Sequence, residues 1–564
     1  MQSFMLTDTL GIPKACLALL PLMVAPGYVA GWALDLFEFR QRRPILRLIL
    51  ALPLSIAICP MLSYLLARFL QPILWAFYIG VFAACALLLI KDARRARLPS
   101  LSKYTWIAFG LIAVWGIAAL GSLIDLQIGD KVYPPIVARD HSVRTVMTAA
   151  LARHVPPSNP FFANAGAPLR YHYLWLLFCS LPMKVLHLSP RWAVYSGVVW
   201  CGLGLICTVA LGLKFLLRVQ TDIERKTLLG VGLLCVTGLD ILPTLYLGNV
   251  GIAGVGRLWL SDMEKWNGPQ IDSWASSLLW VPHNVAALIA CFVAFLLLRH
   301  QADAKRWATA PIVVAGIAFA SAAGMSVYVT FTFVVAVGFW LLALIARKDW
   351  LEAAMFVSAG AVASLWALPF LLSLRGPAGG AFAELALRPF PLGIVLARQA
   401  GISLQTQSEL LVANAIFLPI NYTLELGFFL AVGFLRLRQL VRGRIEASSN
   451  ELAAWTLVMA SFLIGTFLRS STTLTNDLGW RCFLPAQLIL LLWGATMIHD
   501  WWFQRSAIAP NVAPEALPRR WVRGTLATLL VLGVLGTVYQ VFMLRMFPIL
   551  SDSGAITGPS WAGS

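Results

Sequence analysis

The side chains best suited to chemistry stand in one long polar segment, residues 125–190, between two apolar runs. Asp140, His141 and Arg144 lie at the start of a stretch that predicts an amphipathic helix over 142–153. A carboxylate at such a position can act as a general base or bind a cation. It can also cap the helix that begins beside it. Both interpretations of Asp140 stay open.

The same segment ends in the stretch PLRYHYLW at 168–175, which carries Arg170, His172 and Tyr173. Aromatic rings of this kind anchor a chain at the membrane interface, and they can also stack on a sugar. Five of the seven histidines fall on the side that the charge pattern predicts to be outside: His141, His154, His172, His187 and His283. No HxxxH or HExxH spacing is present, so hydrogen bonding and a divalent metal site are both open.

Two later segments add charged groups. Asp272 lies in GPQIDSWASS, eleven residues before His283, and NDLGWRCFLPAQ contains Asp477 and Arg481. Arginine stays charged and binds phosphate through two parallel hydrogen bonds. At the end of an apolar run it can also extend its charged head to the lipid headgroups.

The elements that must position these side chains are membrane helices. The chain of 564 residues is 59% hydrophobic and 12% charged, whereas soluble domains carry roughly 25% charged residues. Apolar runs of about 18–25 residues recur along it, long enough to cross a bilayer as helices. The sequence predicts an all-α, polytopic transmembrane bundle of about fourteen spans. These spans are about 15–35, 46–67, 71–91, 104–124, 191–213, 227–246, 282–298, 308–323, 326–346, 351–373, 411–435, 451–468, 482–500 and 524–545.

Charge sets the expected orientation. The net charge is +18, and most Lys and Arg fall in short links between apolar runs, so these links are predicted to face the cytoplasm. Segments 125–190, 247–281 and 374–410 then lie outside, as an ordered region with short helices. To keep this alternation, residues 172–187 are predicted to lie against the outer surface or to re-enter it. The basic charge is explained by topology and anionic lipid, and no nucleic-acid partner is expected.

The order of these features resembles the GT-C glycosyltransferases, including aminoarabinose transferases and protein O-mannosyltransferases. A membrane helix leads into an outer loop with an acidic motif and a short helix. The Tyr-rich stretch at 168–175 and a late Arg-aromatic-x-x-Pro stretch follow. The resemblance covers about 104–300 and 470–500. It implies extra helices over 1–103, a catalytic core over 104–350 and further helices over 351–564.

The resemblance implies a lipid-linked sugar donor carrying polyprenyl phosphate, within the bilayer of a bacterial inner membrane. The site would face the periplasm or exterior, the acceptor is unnamed, and a divalent metal is the one cofactor left open. It implies two catalytic acids, Asp140 and Asp272. Substrate-binding residues would be His141, Arg144, Arg170, His172, Tyr173, His283, Asp477 and Arg481.

Two alternatives remain. Those enzymes carry paired acids where this chain has Asp140 followed by His141, so an inactive relative shares the pattern. Asp240 and Glu425 fall inside predicted spans, where acids are candidates for function. Two isolated acids do not make a proton relay. A transporter or flippase for a lipid-linked or polar solute is the second interpretation; it would need polar groups along a path to both faces, and the short, basic links weigh against it.

Overall fold

The fold is given by a computed structural model. It describes residues 4–95, 103–161, 167–250, 271–374, 383–402, 404–471, 476–503, 520–552 and 555–556. Most of these residues are helical. The all-α, polytopic helical fold that the sequence predicts is confirmed.

The described residues form twenty-two α-helices. In chain order they are α1 (Phe4–Leu34), α2 (Pro44–Phe69), α3 (Gln71–Arg95), α4 (Lys103–Leu123), α5 (Ala138–Arg153), α6 (Leu174–Ser180), α7 (Met183–Leu186), α8 (Pro190–Leu211), α9 (Ile223–Leu233), α10 (Ile241–Val250), α11 (Trp274–Trp280), α12 (Pro282–Asp303), α13 (Thr309–Met325), α14 (Val327–Ala346), α15 (Trp350–Leu374), α16 (Pro391–Gln399), α17 (Gln407–Leu426), α18 (Phe428–Val441), α19 (Ser449–Phe467), α20 (Asp477–Arg481), α21 (Leu484–Ile498) and α22 (Arg520–Leu550).

Short strands flank the polar segments. They are β1 (Leu126–Ile128), β2 (Lys131–Tyr133), β3 (Ala383–Leu385), β4 (Leu468–Ser470) and β5 (Ala555–Ile556). β2 pairs antiparallel with both β1 and β5, and β3 pairs antiparallel with β4. The hairpin of β1 and β2 comes just before α5, and β4 comes shortly before α20, so both pairings order the backbone that leads into a candidate site.

The chain divides into two compact units, which we describe separately. The first unit contains Met1–Arg218, Leu278–Ala378 and Gly554–Ser564, and the second contains Val219–Ser277 and Gly379–Ser553. α12 is the core of the first unit, where it is buried from Pro282 to Arg299 and packs against α2, α8 and α13. α21 has the same role in the second unit, against α9, α18 and α19. Both helices are apolar on every side, which is the composition expected of a fully buried helix.

Other helices leave their apolar side chains exposed. Only 17% of the apolar stretch of α3, and the same share of that of α4, is buried inside the protein. Trp106, Ile107 and Ile117 of α4 are exposed. Exposed apolar area costs about 25 cal/mol per Å² in water. These surfaces therefore fit contact with lipid, as expected of an integral, multi-pass membrane protein.

Among the described residues, eleven helices are long and apolar enough to cross a bilayer, and a twelfth counts if α17 and α18 form one bent span. All eleven coincide with predicted spans. The predicted total of about fourteen is higher because it includes 227–246 and 308–323. The latter is α13, whose seventeen residues extend about 25 Å, against a hydrocarbon thickness of about 30 Å.

The predicted span 227–246 is interrupted in the middle. α9 ends at Leu233 and α10 begins at Ile241. Between them the N–H of Thr237 donates to Gly533 O at 3.2 Å, and that of Leu239 donates to Leu424 O at 2.5 Å. Hydrophobicity alone predicts one helix here, but neighbouring backbone satisfies the N–H groups that the break releases, which is what irregular backbone at membrane depth requires.

The predicted span 411–435 is also not straight. α17 and α18 meet at Gly427 with an angle of 110°. Gly427 has φ 49° and ψ −113°, a conformation that glycine adopts without a steric penalty. The turn is therefore encoded by one residue inside an apolar run.

The segment 172–187 forms α6 and α7, which are separated by Leu181 and Pro182. Its helical part, Leu174–Leu186, is too short to cross a bilayer. Every residue of α6 is buried, and α6 packs against α2, α5 and α8. The segment is thus not a span, as predicted, but α6 is enclosed by protein and does not lie on the membrane surface.

Candidate functional site

α5 presents polar side chains to the interior of the first unit. Its buried residues include His141, Arg144, Thr148 and Leu151, spaced three or four apart, so they share one face of the helix. That face packs against α6 and α8. An amphipathic helix would normally bury apolar side chains here, so the burial of an imidazole and a guanidinium distinguishes this helix.

Asp140 lies in the first turn of α5 and is half-buried. The helix begins at Ala138, its N-cap is Val137, and no side chain caps it. The interpretation of Asp140 as the helix cap is therefore wrong. Instead, Asp140 Oδ2 accepts a hydrogen bond from the indole N–H of Trp280. Oδ1 accepts none from the residues described here, so one carboxylate oxygen is free to take a proton.

His141 is 1% exposed and is held in one tautomer. Its Nε2 lies 2.7 Å from the carbonyl oxygen of Leu279, which can only accept, so Nε2 carries the proton. Burial, reinforced by the charge of Arg144, lowers the pKa of His141 to about 3. The ring is therefore neutral at pH 7, with Nδ1 facing Arg144 Nη1 at 3.4 Å.

Arg144 is 6% exposed. Its Nη1 donates to the carbonyl oxygen of Trp280. No carboxylate among the described residues forms an ion pair with it. A buried charge is costly unless it is paired and hydrogen-bonded. The first unit thus holds a buried cation whose counter-charge could come from an anionic ligand.

Ring side chains adjoin these groups. His172 stacks on Tyr171 with centroids 4.1 Å apart and lies 5.0 Å from the ring of His283 and 6.3 Å from that of Tyr328. Burial and the charge of Arg144 lower the pKa of His172 to about 3. Asn284, beside His283 in the first turn of α12, is 3% exposed, and its Oδ1 has no hydrogen-bond partner among described residues. We call His141, His172, His283 and Arg144 the histidine cluster.

The histidine cluster does not resemble a metal centre. Within the part of the chain that the structure describes, no three His, Cys, Asp or Glu side chains converge in a way that could hold an ion. The divalent metal remains a prediction.

The second unit brings together Asp272 and Arg481. Asp272 lies just before α11, Arg481 ends α20, and their side chains form an ion pair. Gln487 Nε2 donates to the backbone oxygen of Asp272 at 2.9 Å. Asn476 is the N-cap of α20, and its side chain accepts the N–H of Gly479 at 3.1 Å. A side-chain cap of this kind fixes the short helix that carries Arg481.

A second buried ion pair adjoins the first, and the sequence analysis did not find its arginine. Arg388 and Glu425 are completely buried, with 3.9 Å between Nη2 and Oε1. Arg388 also lies over the rings of Tyr422 and Phe483, at 5.7 and 5.1 Å. Arg388 stands in the predicted outer loop 374–410, in the apolar stretch LRPFPL. A lone charge among apolar residues is the sequence feature that could have marked it.

The remaining predicted site residues are more scattered. Arg170 is exposed, and Asp477 is half-buried at the first position of α20. Tyr173 is completely buried, but its ring packs against Phe370 at 5.2 Å and Tyr64 at 6.4 Å instead of joining the histidine cluster. Residues 251–270 of the predicted loop 247–281 lie outside the described residues. Asp140 belongs to the first unit and Asp272 with Arg481 to the second, so a site shared by all three remains a prediction.

Comparisons with known proteins give few relatives. No family model matches the chain, and no curated protein matches it. Among solved structures, the oligosaccharyltransferase of Archaeoglobus fulgidus, crystallised with a tethered acceptor peptide, is similar at a TM-score of 0.41 and 13% sequence identity. The match covers 78% of this chain and 55% of that one, so this chain spans little more than half of its length. Function is therefore inferred below from this chain's own residues.

Proposed function

We propose that this chain is a membrane glycosyltransferase that moves a sugar from a polyprenyl-phosphate donor to an acceptor hydroxyl at the outer membrane face. One observation carries the proposal. The first two turns of α5 hold a carboxylate with an unused oxygen, on Asp140, and a buried guanidinium without an acidic partner, on Arg144. Transfer from a phosphate ester needs these two groups, a base for the acceptor and a cation for the leaving phosphate.

The proposed step uses each group once. Asp140 Oδ1 takes the proton of the acceptor hydroxyl, and the acceptor oxygen forms a bond to the anomeric carbon of the sugar. The bond from that carbon to the phosphate oxygen breaks, and its electron pair leaves with the phosphate. Arg144 stabilises the charge that accumulates there, because a guanidinium in a water-poor site acts more strongly than one in water.

The neutral histidines suit the sugar. At pH 7, His141 and His172 are uncharged, because burial lowers their pKa values to about 3. Because both rings are neutral, they adjoin Arg144 and the bound sugar without adding a positive charge of their own. Arg481, in the second unit, is proposed as a further phosphate ligand, and Asp272 as a second catalytic acid.

The test is a transfer assay in which purified protein is mixed with a polyprenyl-phosphate sugar and an acceptor, and the glycosylated product is measured. Asp140→Asn keeps the shape of the side chain and removes the base, so the transfer rate should fall by about 10²–10⁴. Asp130→Asn is the matched control, since Asp130 is an exposed acid in the same predicted loop. Transfer by Asp140→Asn at the wild-type rate would refute the assignment of the base.

The second candidate is a transporter or flippase, and one feature favours it. The interruption between α9 and α10 holds Asp240, which is completely buried and accepts a hydrogen bond from Thr237 Oγ1 at 3.3 Å. Broken helices with polar groups are typical of binding sites in secondary transporters. Flux of a lipid-linked sugar across proteoliposomes, without chemical change to that lipid, would support this candidate in place of transfer.

A further inference from the structure

Two backbone segments of the second unit carry the proposed acid and the proposed phosphate ligand. One contains Ile271 and Asp272, just before α11. The other is α20, which contains Gly479 and Arg481. The Asp272–Arg481 ion pair joins these segments through side chains. An ion pair alone does not fix the register of two segments, because arginine is long and flexible.

Arg388 and Glu425 contact the same two segments through backbone groups. Glu425 Oε2 accepts the N–H of Ile271 at 2.5 Å, immediately before Asp272. Arg388 Nη1 donates to the carbonyl oxygen of Gly479 at 3.1 Å, two residues before Arg481. The Arg388–Glu425 pair thus connects the two segments a second time, close to the first connection.

Arg388 itself is fixed on several sides. The backbone N–H of Arg388 donates to the carbonyl oxygen of Thr466 at 2.8 Å, next to the pairing of β3 with β4. Tyr422 and Phe483 lie beside its guanidinium, and the hydroxyl of Tyr422 bonds Thr466 Oγ1 at 2.6 Å. Complete burial and these contacts leave the guanidinium little freedom, so it can act as a fixed reference for α20.

We propose that Arg388 and Glu425 are positioning residues, which hold Asp272 and Arg481 in register so that the Arg481 guanidinium is directed at the donor phosphate. The proposal rests on the proposed function for its phosphate ligand. Neither residue touches the substrate in this scheme. Burial of such a pair is not by itself a gain in stability, since desolvation offsets the attraction between the charges. Retaining the pair is explained by the geometry that it imposes.

The main variant is Arg388→Gln with Glu425→Gln, which removes both charges together and leaves no unpaired buried ion. Arg388→Lys is the milder variant, because it keeps the charge but loses the planar fork that reaches Gly479 and Glu425. The matched control is Arg436→Gln with Glu451→Gln. That pair joins α18 to α19 in the same unit, with Arg436 Nη2 2.7 Å from Glu451 Oε2.

Two measurements are made on folded, monodisperse protein. The first is the rate at which an arginine-specific dicarbonyl reagent modifies Arg481, followed by mass spectrometry without any donor. Arg481 is buried, so a loss of register should speed its modification about ten-fold, as expected for the loss of one hydrogen bond to a charged group. The second is steady-state transfer, in which the donor KM should rise about ten-fold while the acceptor KM stays unchanged.

Arg388→Lys should also raise the Arg481 modification rate and the donor KM, by smaller factors. If the double variant does not fold, Arg388→Lys alone tests the positioning role. A merely structural role would lower the amount of active enzyme without changing the donor KM or the Arg481 modification rate. Unchanged values, or equal changes in the Arg436/Glu451 control, would overturn the proposal. If the wild-type chain transfers no sugar, the proposed function fails, whereas the modification rate still decides the positioning role.

Discussion

The histidine cluster of the first unit and the charge pairs of the second keep polar groups away from water by different means. In the first unit the imidazole of His141 is buried as a neutral ring, and Arg144 is bonded to a backbone carbonyl and forms no ion pair with a described acid. In the second unit the two arginines of the candidate site each face a carboxylate, Arg388 with Glu425 and Arg481 with Asp272. The first arrangement carries an uncompensated positive charge, and the second is balanced.

The difference predicts opposite responses to the loss of an arginine. Removing a partner from a balanced pair leaves a buried charge behind, which is strongly destabilising. Removing an arginine that has no acidic partner leaves none. An unbalanced cation therefore fits a ligand site, and a balanced pair fits a framework or a site whose ligand must compete with an acid.

The largest effect is expected at the balanced pair. Arg481→Gln leaves Asp272 buried without its cation, so the free energy of unfolding should fall by about 3–5 kcal/mol. Thermal unfolding in detergent measures the loss. Adding Asp272→Asn should restore most of it, because the double variant holds no unpaired charge. If the single variant is as stable as wild type, Asp272 and Arg481 are not a buried pair.

Arg144→Gln should instead weaken binding while leaving stability nearly unchanged. The affinity for a polyprenyl-phosphate sugar should fall about 10–100-fold, since a hydrogen bond to a charged group contributes about 1.5–3 kcal/mol. The free energy of unfolding should stay within about 1 kcal/mol of wild type, because no partner charge is stranded. Donor titration and thermal unfolding, compared with Arg481→Gln, separate the two effects. A large loss of stability would show that Arg144 belongs to the framework.

The smallest effect is a pH dependence that belongs to the first unit. The pKa of His141 is about 3 in the folded protein, below the value of about 6.5 for an unfolded chain. The unfolded state therefore binds more protons between these values. The stability that the neutral His141 contributes is complete above about pH 6.5. It is lost as the pH falls toward 3, by up to about 1.4 kcal/mol per pH unit. Thermal unfolding between pH 7 and 5 measures this slope.

His141→Gln should remove the share of the slope that His141 contributes in that window, where ordinary carboxylates titrate little. The share of His172, whose pKa is also about 3, should remain. His154→Gln is the matched control, because His154 is an exposed histidine at the end of the same helix. An equal slope in wild type and His141→Gln would mean that the cluster does not hold His141 in its neutral form.

Sequence patterns predict the helices better than the interactions between them. Composition and run length give the all-α bundle and the eleven long helices, because lipid requires long apolar stretches. They do not predict the interruption at Gly238, where a side chain would meet the carbonyl oxygens of Leu424 and Glu425. That close approach depends on a helix far away in the sequence.

In the candidate site, too, local features can be predicted from the sequence and contacts between distant segments cannot. Residue types and sidedness single out Asp140, His141 and Arg144 because they are neighbours on one helix. Arg388 was missed, since its partners Glu425 and Gly479 come from other parts of the chain. The capping interpretation of Asp140 failed because the helix begins two residues earlier, at Ala138. Its hydrogen-bond donor, Trp280, cannot be inferred from local sequence.

The interruption between α9 and α10 also has a consequence for biogenesis. The N–H groups of Thr237 and Leu239 find acceptors in Gly533 and Leu424, which are synthesised much later. When residues 223–250 leave the ribosome, no partner for these groups exists, and hydrocarbon offers none. The two half-helices must therefore wait in an aqueous or chaperoned setting, or enter the bilayer as one continuous helix that later breaks. Assembly of the second unit is thus completed only after α22, which carries Gly533, has been translated.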